Sequence, residues 1–564
     1  MAVSVAVLLL AFLGSFWLRL RSSHVPFQHV QLQRLTTSGD TAGAAISPDG
    51  KYLARIVEHG DELGIWLRQL STSTEVQVVP AAKSGLNAVQ FSRDGEHLYY
   101  TQSRQPGRFS LYRIPSLGGA AELVLDNATG PVWISPDERH FAWQSGRADR
   151  SFSIIVAGPN VTSRKTVVAR NAPDFLRDVI SWSPEAKLLA VPLGSFDDRF
   201  WNIERVLIVP LGGARPAIFW PVKWNSVLSV SWLPSGRGIL VNGVAEGSSS
   251  TIWFAPYPTG EPRRLINDAN NYFGLSTTAD SAAFVTDQAY QNGEIWITAP
   301  HAGLASQLTR TSPNDDGAGG FAWAPDGRLI YSSTVNRDLW LANADGSDPK
   351  RLTFGGVAID PEVSPDGRTI YFGSERSGAC HLWRMDLDAN ESSQVTRGSG
   401  EEGASVSPDG KWLLYESFSF TGDSSIWKMP LPSGTPVRLG DLKNAEFPSV
   451  SPDGQWVSVA YRDERFVPRE GVGILRLDGT GFKPLSIPFS YAHKWSADSR
   501  ALYFLKSERG VQNVWKQAVA GGTPTRVTSF TSGSIGPMAV SREERLAFRH
   551  FNSISDVVLV RSIP

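Results

Sequence analysis

The residues of this sequence best suited to metal or nucleophilic chemistry are nine histidines and a single cysteine. His59, His97, His140, His381, His493 and the others stand alone. None forms the His-Glu-x-x-His spacing that would set two imidazoles on one helical face, so they read as surface or hairpin residues. Cys380 has no second cysteine to pair with, which excludes an intrachain disulfide and a multi-cysteine zinc site and leaves the compartment open. A serine hydrolase needs a Gly-x-Ser-x-Gly nucleophile elbow on a strand-to-helix turn, and no such segment occurs. A phosphate-cradling Gly-x-x-x-x-Gly-Lys loop is also missing. Asn343 to Gly346 resembles the start of a calcium loop but lacks the twelve-residue span with a closing Glu, and turn chemistry explains it. The sequence therefore predicts no catalytic residue, no metal and no cofactor, and a chain that is not an enzyme.

Two segments remain in which charge and aromatic side chains are mixed as they are in interface anchors. One contains Asp197, Asp198, Arg199, Phe200 and Trp201; the other contains Arg462, Asp463, Glu464 and Arg465. They are the candidate binding residues, and the bland alternative is that each is a salt-bridged loop bracing the fold. The partner is expected to be a protein or peptide, or else a small ligand. Nucleic acid is excluded, because 54 Lys+Arg against 55 Asp+Glu leave a net charge of -1 and no field to attract a phosphate backbone.

The elements that must position these loops are repeats. Ser47-Pro48-Asp49-Gly50 recurs, with degenerate copies, at Ser92, Ser135, Ser183, Leu233, Thr278, Ala324, Ser364, Ser407, Ser451, Ser496 and Ser541, at intervals of about 40 to 50 residues, the length of a propeller blade. Pro presets the first corner, Asp tolerates the second, and Gly takes the left-handed position that reverses the chain. An apolar strand comes next, such as Thr369-Ile370-Tyr371-Phe372. A third strand often carries Trp, as in Ile65-Trp66, Ile252-Trp253, Ile295-Trp296, Leu339-Trp340, Leu382-Trp383, Ile426-Trp427 and Val514-Trp515, and its recurrence predicts packing between blades. A last strand reads Arg34-Leu35-Thr36 or Arg351-Leu352-Thr353. With 52 Gly, 36 Pro and 19 Trp, the composition is that of an all-β protein of tight turns and short strands.

Twelve units exceed the usual four to eight blades of one ring, so the chain is expected to form two tandem six-bladed β-propellers of four-stranded antiparallel blades. Cut before Gln307, each half starts with a last-type strand and ends without one, so each ring would close by pairing its first strand with its final blade. The two mixed loops sit in the fourth and tenth units, six apart, as a duplicated half would place them. The expected domains are residues 31–305 and 306–564.

Before them, Ala2 to Leu18 carry no charge and nearly span a hydrocarbon core. Residues 1–22 are expected to be a transmembrane anchor and 23–30 a linker. Arg19 and Arg21 oppose export of the repeats by the positive-inside tendency, an opposition that an upstream cytoplasmic segment would resolve.

The Ser-Pro-Asp-Gly turn followed by an apolar strand, a Trp strand and an Arg-Leu-Thr strand resembles the TolB-type, WD-repeat-like propeller repeat over nearly everything after residue 30. One helix before twelve such units resembles the extracytoplasmic C-terminal region of bacterial membrane signalling proteins, whose kinase or winged-helix domain is absent here. Related propellers also accompany the hydrolase domain of prolyl-oligopeptidase and dipeptidyl-peptidase IV relatives, for which the repeats leave no room. The resemblance implies a noncatalytic, single-pass membrane-anchored binding or sensory module outside the cytoplasm. The alternatives are a scaffold of an envelope assembly and a cryptic propeller hydrolase or lyase, the last of which would need a cluster of convergent ionisable groups.

Overall fold

The computed structural model describes residues 26–83, 85–105, 108–146, 151–158, 163–171, 174–196, 202–244, 250–268, 270–302, 304–308, 316–333, 337–377, 379–388, 391–418 and 424–563. The apolar segment at residues 1–22 lies outside them. Among the described residues no helix is long and apolar enough to cross a membrane. The described residues form an all-β fold with eleven antiparallel sheets: nine of four strands, one of five and one of six.

Ten of the twelve repeats contribute one sheet each, the sixth and twelfth share the six-stranded one, and the turn of a repeat is held by more than backbone preference. Ser47 Oγ donates to Asp49 (2.7 Å) and accepts the amide of Tyr52 (2.9 Å), while Gly50 at φ 71° closes the turn onto the Ser47 carbonyl. The same hydroxyl-to-carboxylate bond recurs at Ser364–Asp366, Ser407–Asp409 and Ser496–Asp498. Ser and Asp recur because together they cap the amides that begin the second strand. In the third strand the aliphatic residue is the core member, with Ile65, Leu339 and Val514 fully buried. The tryptophan after it falls on the opposite side of the pleat and is only half-buried, with a cation laid over it at Trp515 (Lys506) and Trp383 (Arg376).

Innermost strands touch in succession. In the C-terminal sheets, Phe321–Trp323 meets Ala358–Val363 on one side and Ser534–Val540 on the other, closing a circle through Glu401–Val406, Ala445–Val450 and His493–Trp495. In the N-terminal sheets, Thr41–Ile46 likewise meets both Gly85–Phe91 and Asn271–Thr277.

The six-stranded sheet joins the two sets. Its centre is the pairing of Ala283–Thr298 with Leu546–Ile563, in register from Ala283 opposite Arg561 to Ile297 opposite Ala547. The early half of Ala283–Thr298 pairs with Asn271–Thr277, and its late half with Ala305–Gln307. Leu546–Ile563 pairs first with Ser534–Val540 and then, through Val558 to Ile563, with His29–Arg34. The opening last-type strand therefore does pair with the end of the chain, but Val557 to Val560 fill a third-strand place among the N-terminal sheets. The local chemistry identifies that place. Thr36 Oγ1 donates to Asp556 (3.0 Å) and accepts from the Val557 amide (2.8 Å), as Thr353 Oγ1 donates to Asp338 (2.9 Å) and accepts from the Leu339 amide (2.9 Å) within one uninterrupted unit. A second contact brings the bend at Gly60 against the Arg509-Gly510 backbone, so closely that a Cβ on Gly510 would lie 2.2 Å from the Gly60 carbonyl carbon.

Leu559 is 1% exposed in this shared sheet. Leu559→Asp is expected to cost about 3 kcal/mol or more. Hydrogen exchange should then accelerate in His29–Arg34 and in residues 283–288, far from the mutation in sequence, while Ser534–Val540 stays protected.

Candidate functional site

The innermost strands of the C-terminal sheets are interrupted at one place, four residues before the turn, by a bulge. Register shifts fall between Ile359 and Glu362, Glu402 and Ser405, Glu446 and Ser449, and Ile535 and Met538. The bulged residue takes a left-handed conformation at Gly403 (φ 64°), which glycine allows, and also at Asp360 (φ 48°) and Phe447 (φ 55°), which lack that freedom. Neighbouring sheets stabilise both: the Asp360 amide donates to the Gly319 carbonyl (2.6 Å) and the Phe447 amide to Glu416 (3.0 Å).

The bulges bring acidic side chains to the axis at the end opposite the turns, the end from which Ala283–Thr298 crosses between the two sets. Asp360, Glu362, Glu402, Glu416 and Glu446 come from three successive sheets. Burial pushes Asp360 up to about 6, with Lys494 opposing it. It pushes Glu402 up to about 8, helped by the nearby charges of Asp360, Glu375 and Glu446. Glu416 rises to about 9, again through burial, although the Phe447 amide favours its charged form. Glu362 is also raised by burial against Lys494 and accepts the Val406 amide (3.3 Å). Burial, and after it the charges of Glu402, Glu375, Asp360 and Glu401, hold the Cys380 thiol well above its ordinary value, so Cys380 is no ready nucleophile.

At the centre lies a cavity of about 100 Å³ bordered by Asp360, Phe447, Tyr491, His493 and Lys494. His493 is buried and driven down to about 4, hence neutral, with Nδ1 against the Ser490 carbonyl at 3.0 Å. The space suits one side chain or a very small ion and is below the 300–1,000 Å³ of ordinary ligand pockets. Among the described residues no three His, Cys, Asp or Glu side chains converge to hold a metal ion.

The sequence-predicted residues divide. Asp197, Asp198, Arg199, Phe200 and Trp201 lie outside the described residues. Arg462 reaches the acidic rim, donating to Glu446 (3.0 Å) with its guanidinium 3.7 Å from the centre of the Phe489 ring. Asp463 and Arg465 instead brace their own loop. Arg465 bonds both Asp463 (2.6 Å) and Asp441 (2.9 Å), holding the Asp463 carboxyl well below the usual range. Glu464 is exposed. Sequence reasoning missed Asp360, Glu402 and Glu446, although a signal was present: an acidic residue four or five positions before the Ser of three consecutive turns.

Residues 304–467 match the TolB beta propeller domain family. An uncharacterized protein of Agrobacterium fabrum is 28% identical over 160 residues, 27% of this chain; the chain spans about half the length of that curated relative. Among solved structures, a TolB candidate from Agrobacterium tumefaciens aligns at 18% identity over 47% of this chain and 99% of its own, with a TM-score of 0.40. The tricorn protease aligns at 12% identity over 85% of this chain and 49% of its own, with a TM-score of 0.33.

Burial that raises a carboxyl favours its protonated form in the folded state. Stability is then lost as pH rises from the unfolded value of about 4.3 toward the folded one. Glu416→Gln keeps an acceptor for the Phe447 amide and removes the charge. It is expected to raise stability by about 1–3 kcal/mol at pH 8 and to change little at pH 4, read by denaturant titration at both.

Proposed function

We propose that the chain is a noncatalytic binding module of two six-bladed rings, whose C-terminal ring receives a basic side chain of a protein or peptide partner at its acidic axial mouth. Five whole sheets and half of the six-stranded sheet supply the blades of each ring. On this reading the N-terminal ring comprises residues 29–291 with the final strand from residue 553, and the C-terminal ring the residues between. The observation that carries the function is the cluster of Asp360, Glu362, Glu402, Glu416 and Glu446, of which Asp360 borders the side-chain-sized cavity, opposed among the described residues by Lys494 and Arg462. An entering guanidinium or ammonium would supply the missing charge and hydrogen-bond donors and would ionise Glu402 and Glu416, which burial keeps protonated at neutral pH. Tethering through residues 1–22, with the rings outside the cytoplasm, belongs to the same proposal, as does the use of such a module as a sensor or as a scaffold of an envelope assembly.

One observation favours a second reading, a cryptic hydrolase or lyase. Asp360 near 6 and Glu402 near 8 would stand on opposite sides of neutrality, as an acid and base pair does.

A peptide probe separates the two readings. Acetyl-Gly-Arg-Gly-amide should bind the full chain at least tenfold more tightly than its citrulline analogue, with affinity rising from pH 5 to pH 8 as the acids ionise. Asp360→Asn with Glu402→Gln should erase that preference. Equal binding of both peptides by calorimetry would dismiss the basic-side-chain reading. Turnover of a peptide or glycan that Glu402→Gln abolishes would establish the second.

A further inference from the structure

The N-terminal sheets enclose a larger axial cavity, of about 430 Å³, inside the range of pockets that hold small molecules. It opens among the turns, where Pro48, Pro136, Pro184 and Pro234 border it, and runs inward past Trp133, Trp182 and Trp232 to Asp287. The walls are thus largely apolar and aromatic, and the base is a carboxylic acid.

Asp287 is 5% exposed, and its Oδ1 has no hydrogen-bond partner among the described residues. Three other buried acids of this fold are matched: Glu204 by Arg177 (2.6 Å), Asp338 by Arg351 and Thr353, and Asp556 by Thr36. An unmatched buried carboxyl costs the fold free energy and returns none, so its placement on the cavity calls for a partner from outside. The neighbouring charged and titratable groups are committed elsewhere. On the paired final strand Asp556 is held by Thr36, the Gly39 amide and Arg34; Arg34 also bonds Gln288; Tyr272 donates to Asp268. The facing strand Thr41–Ile46 carries no titratable side chain. Glu138 and Arg93 lie at the turn end of the cavity, Glu138 accepting from the Tyr99 hydroxyl (2.8 Å) and the Arg93 amide (3.1 Å).

We propose that this cavity is a binding site for an organic ammonium ion, with Asp287 as its counter-ion and hydrogen-bond acceptor and Trp133, Trp182 and Trp232 as its aromatic wall. The ammonium supplies the N–H donors that Oδ1 lacks, and indole faces attract cations that have left water. A neutral ligand of the same shape would leave the acid unmatched, and an anion would be repelled by it. The site is independent of the acidic mouth of the C-terminal sheets and stands or falls separately. Burial alone pushes Asp287 up to about 7, so ligand binding at neutral pH ionises it and releases a proton.

The test is calorimetry of the full chain with 2-phenylethylammonium, which stays charged from pH 5.5 to pH 8, against the neutral 2-phenylethanol. The ammonium should bind at least tenfold more tightly at pH 8, and about thirtyfold more weakly at pH 5.5 than at pH 8, the ratio of ionised Asp287 at the two values. Asp287→Asn should abolish both the preference and the pH dependence, while Glu402→Gln leaves both intact. Should Asp287→Asn fail to fold, Trp182→Leu provides the second variant and should weaken the ammonium about tenfold. Acetyl-Gly-Lys-Gly-amide distinguishes sources: binding as tight as that of the free amine points to a lysine of a partner, and much weaker binding to a small molecule. Equal affinity for amine and alcohol, or a preference that survives in Asp287→Asn, would overturn the proposal.

Discussion

The pairing of Ala283–Thr298 with Leu546–Ile563 is the constraint on which the rest of the structure depends. Each strand belongs half to the N-terminal sheets and half to the C-terminal ones, so neither set completes its last sheet from its own stretch of chain. A conventional unit would turn back near Asn292-Gly293, a pair well suited to a two-residue hairpin. Instead the chain runs straight on, with Gly293 opposite Phe551. Residues 250 or more positions apart therefore share a ladder, and Val557, Leu559 and Val560, each nearly inaccessible, bury apolar surface worth about 1.5–3 kcal/mol apiece among sheets built from the other end of the chain. The two sets are consequently coupled in folding, and the final residues must arrive before the sheet they share is complete.

The same economy of local structure explains the acidic mouth. A bulge four residues before the turn recurs because it lets successive inner strands bend around an axis, and it re-aims side chains toward that axis. Where the bulged residue is glycine the backbone relaxes. Where it is Asp360 or Phe447, amide bonds from the adjacent sheet stabilise a conformation that would otherwise be disfavoured. Glu402 and Glu416 are tolerated because burial keeps them protonated near neutral pH, a state that a cation can reverse. Tryptophans bridge neighbouring inner strands in both sets: the Trp133 indole donates to the Asp178 carbonyl (2.7 Å), that of Trp182 to the Trp133 carbonyl (3.1 Å) and that of Trp495 to the Ser449 carbonyl (2.9 Å).

Much of the fold was legible because its information is local. Ser-Pro-Asp-Gly announces a turn within four residues, and alternation announces the strand after it, so β-structure and repeat length need no knowledge of distant contacts. The third-strand tryptophans were harder to read: recurrence marks a shared environment but does not say whether that environment is the core or its half-covered flank. Of the mixed loop at Arg462 to Arg465, composition showed that it was unusual, whereas only geometry separates Arg462, which touches the acidic rim, from Asp463 and Arg465, which satisfy each other.

By itself the sequence determined the repeating turn, the antiparallel sheets and the absence of recognised catalytic motifs, since each stems from the conformational preferences of a few adjacent residues. Tertiary structure alone decided which strands share a sheet across the two sets, and that Asp360, Glu402 and Glu446 meet while Asp287 Oδ1 has no hydrogen-bond partner among the described residues. The reason is that pairing partners and pKa values depend on what is brought alongside from elsewhere in the chain, and no short stretch of residues encodes its own neighbours.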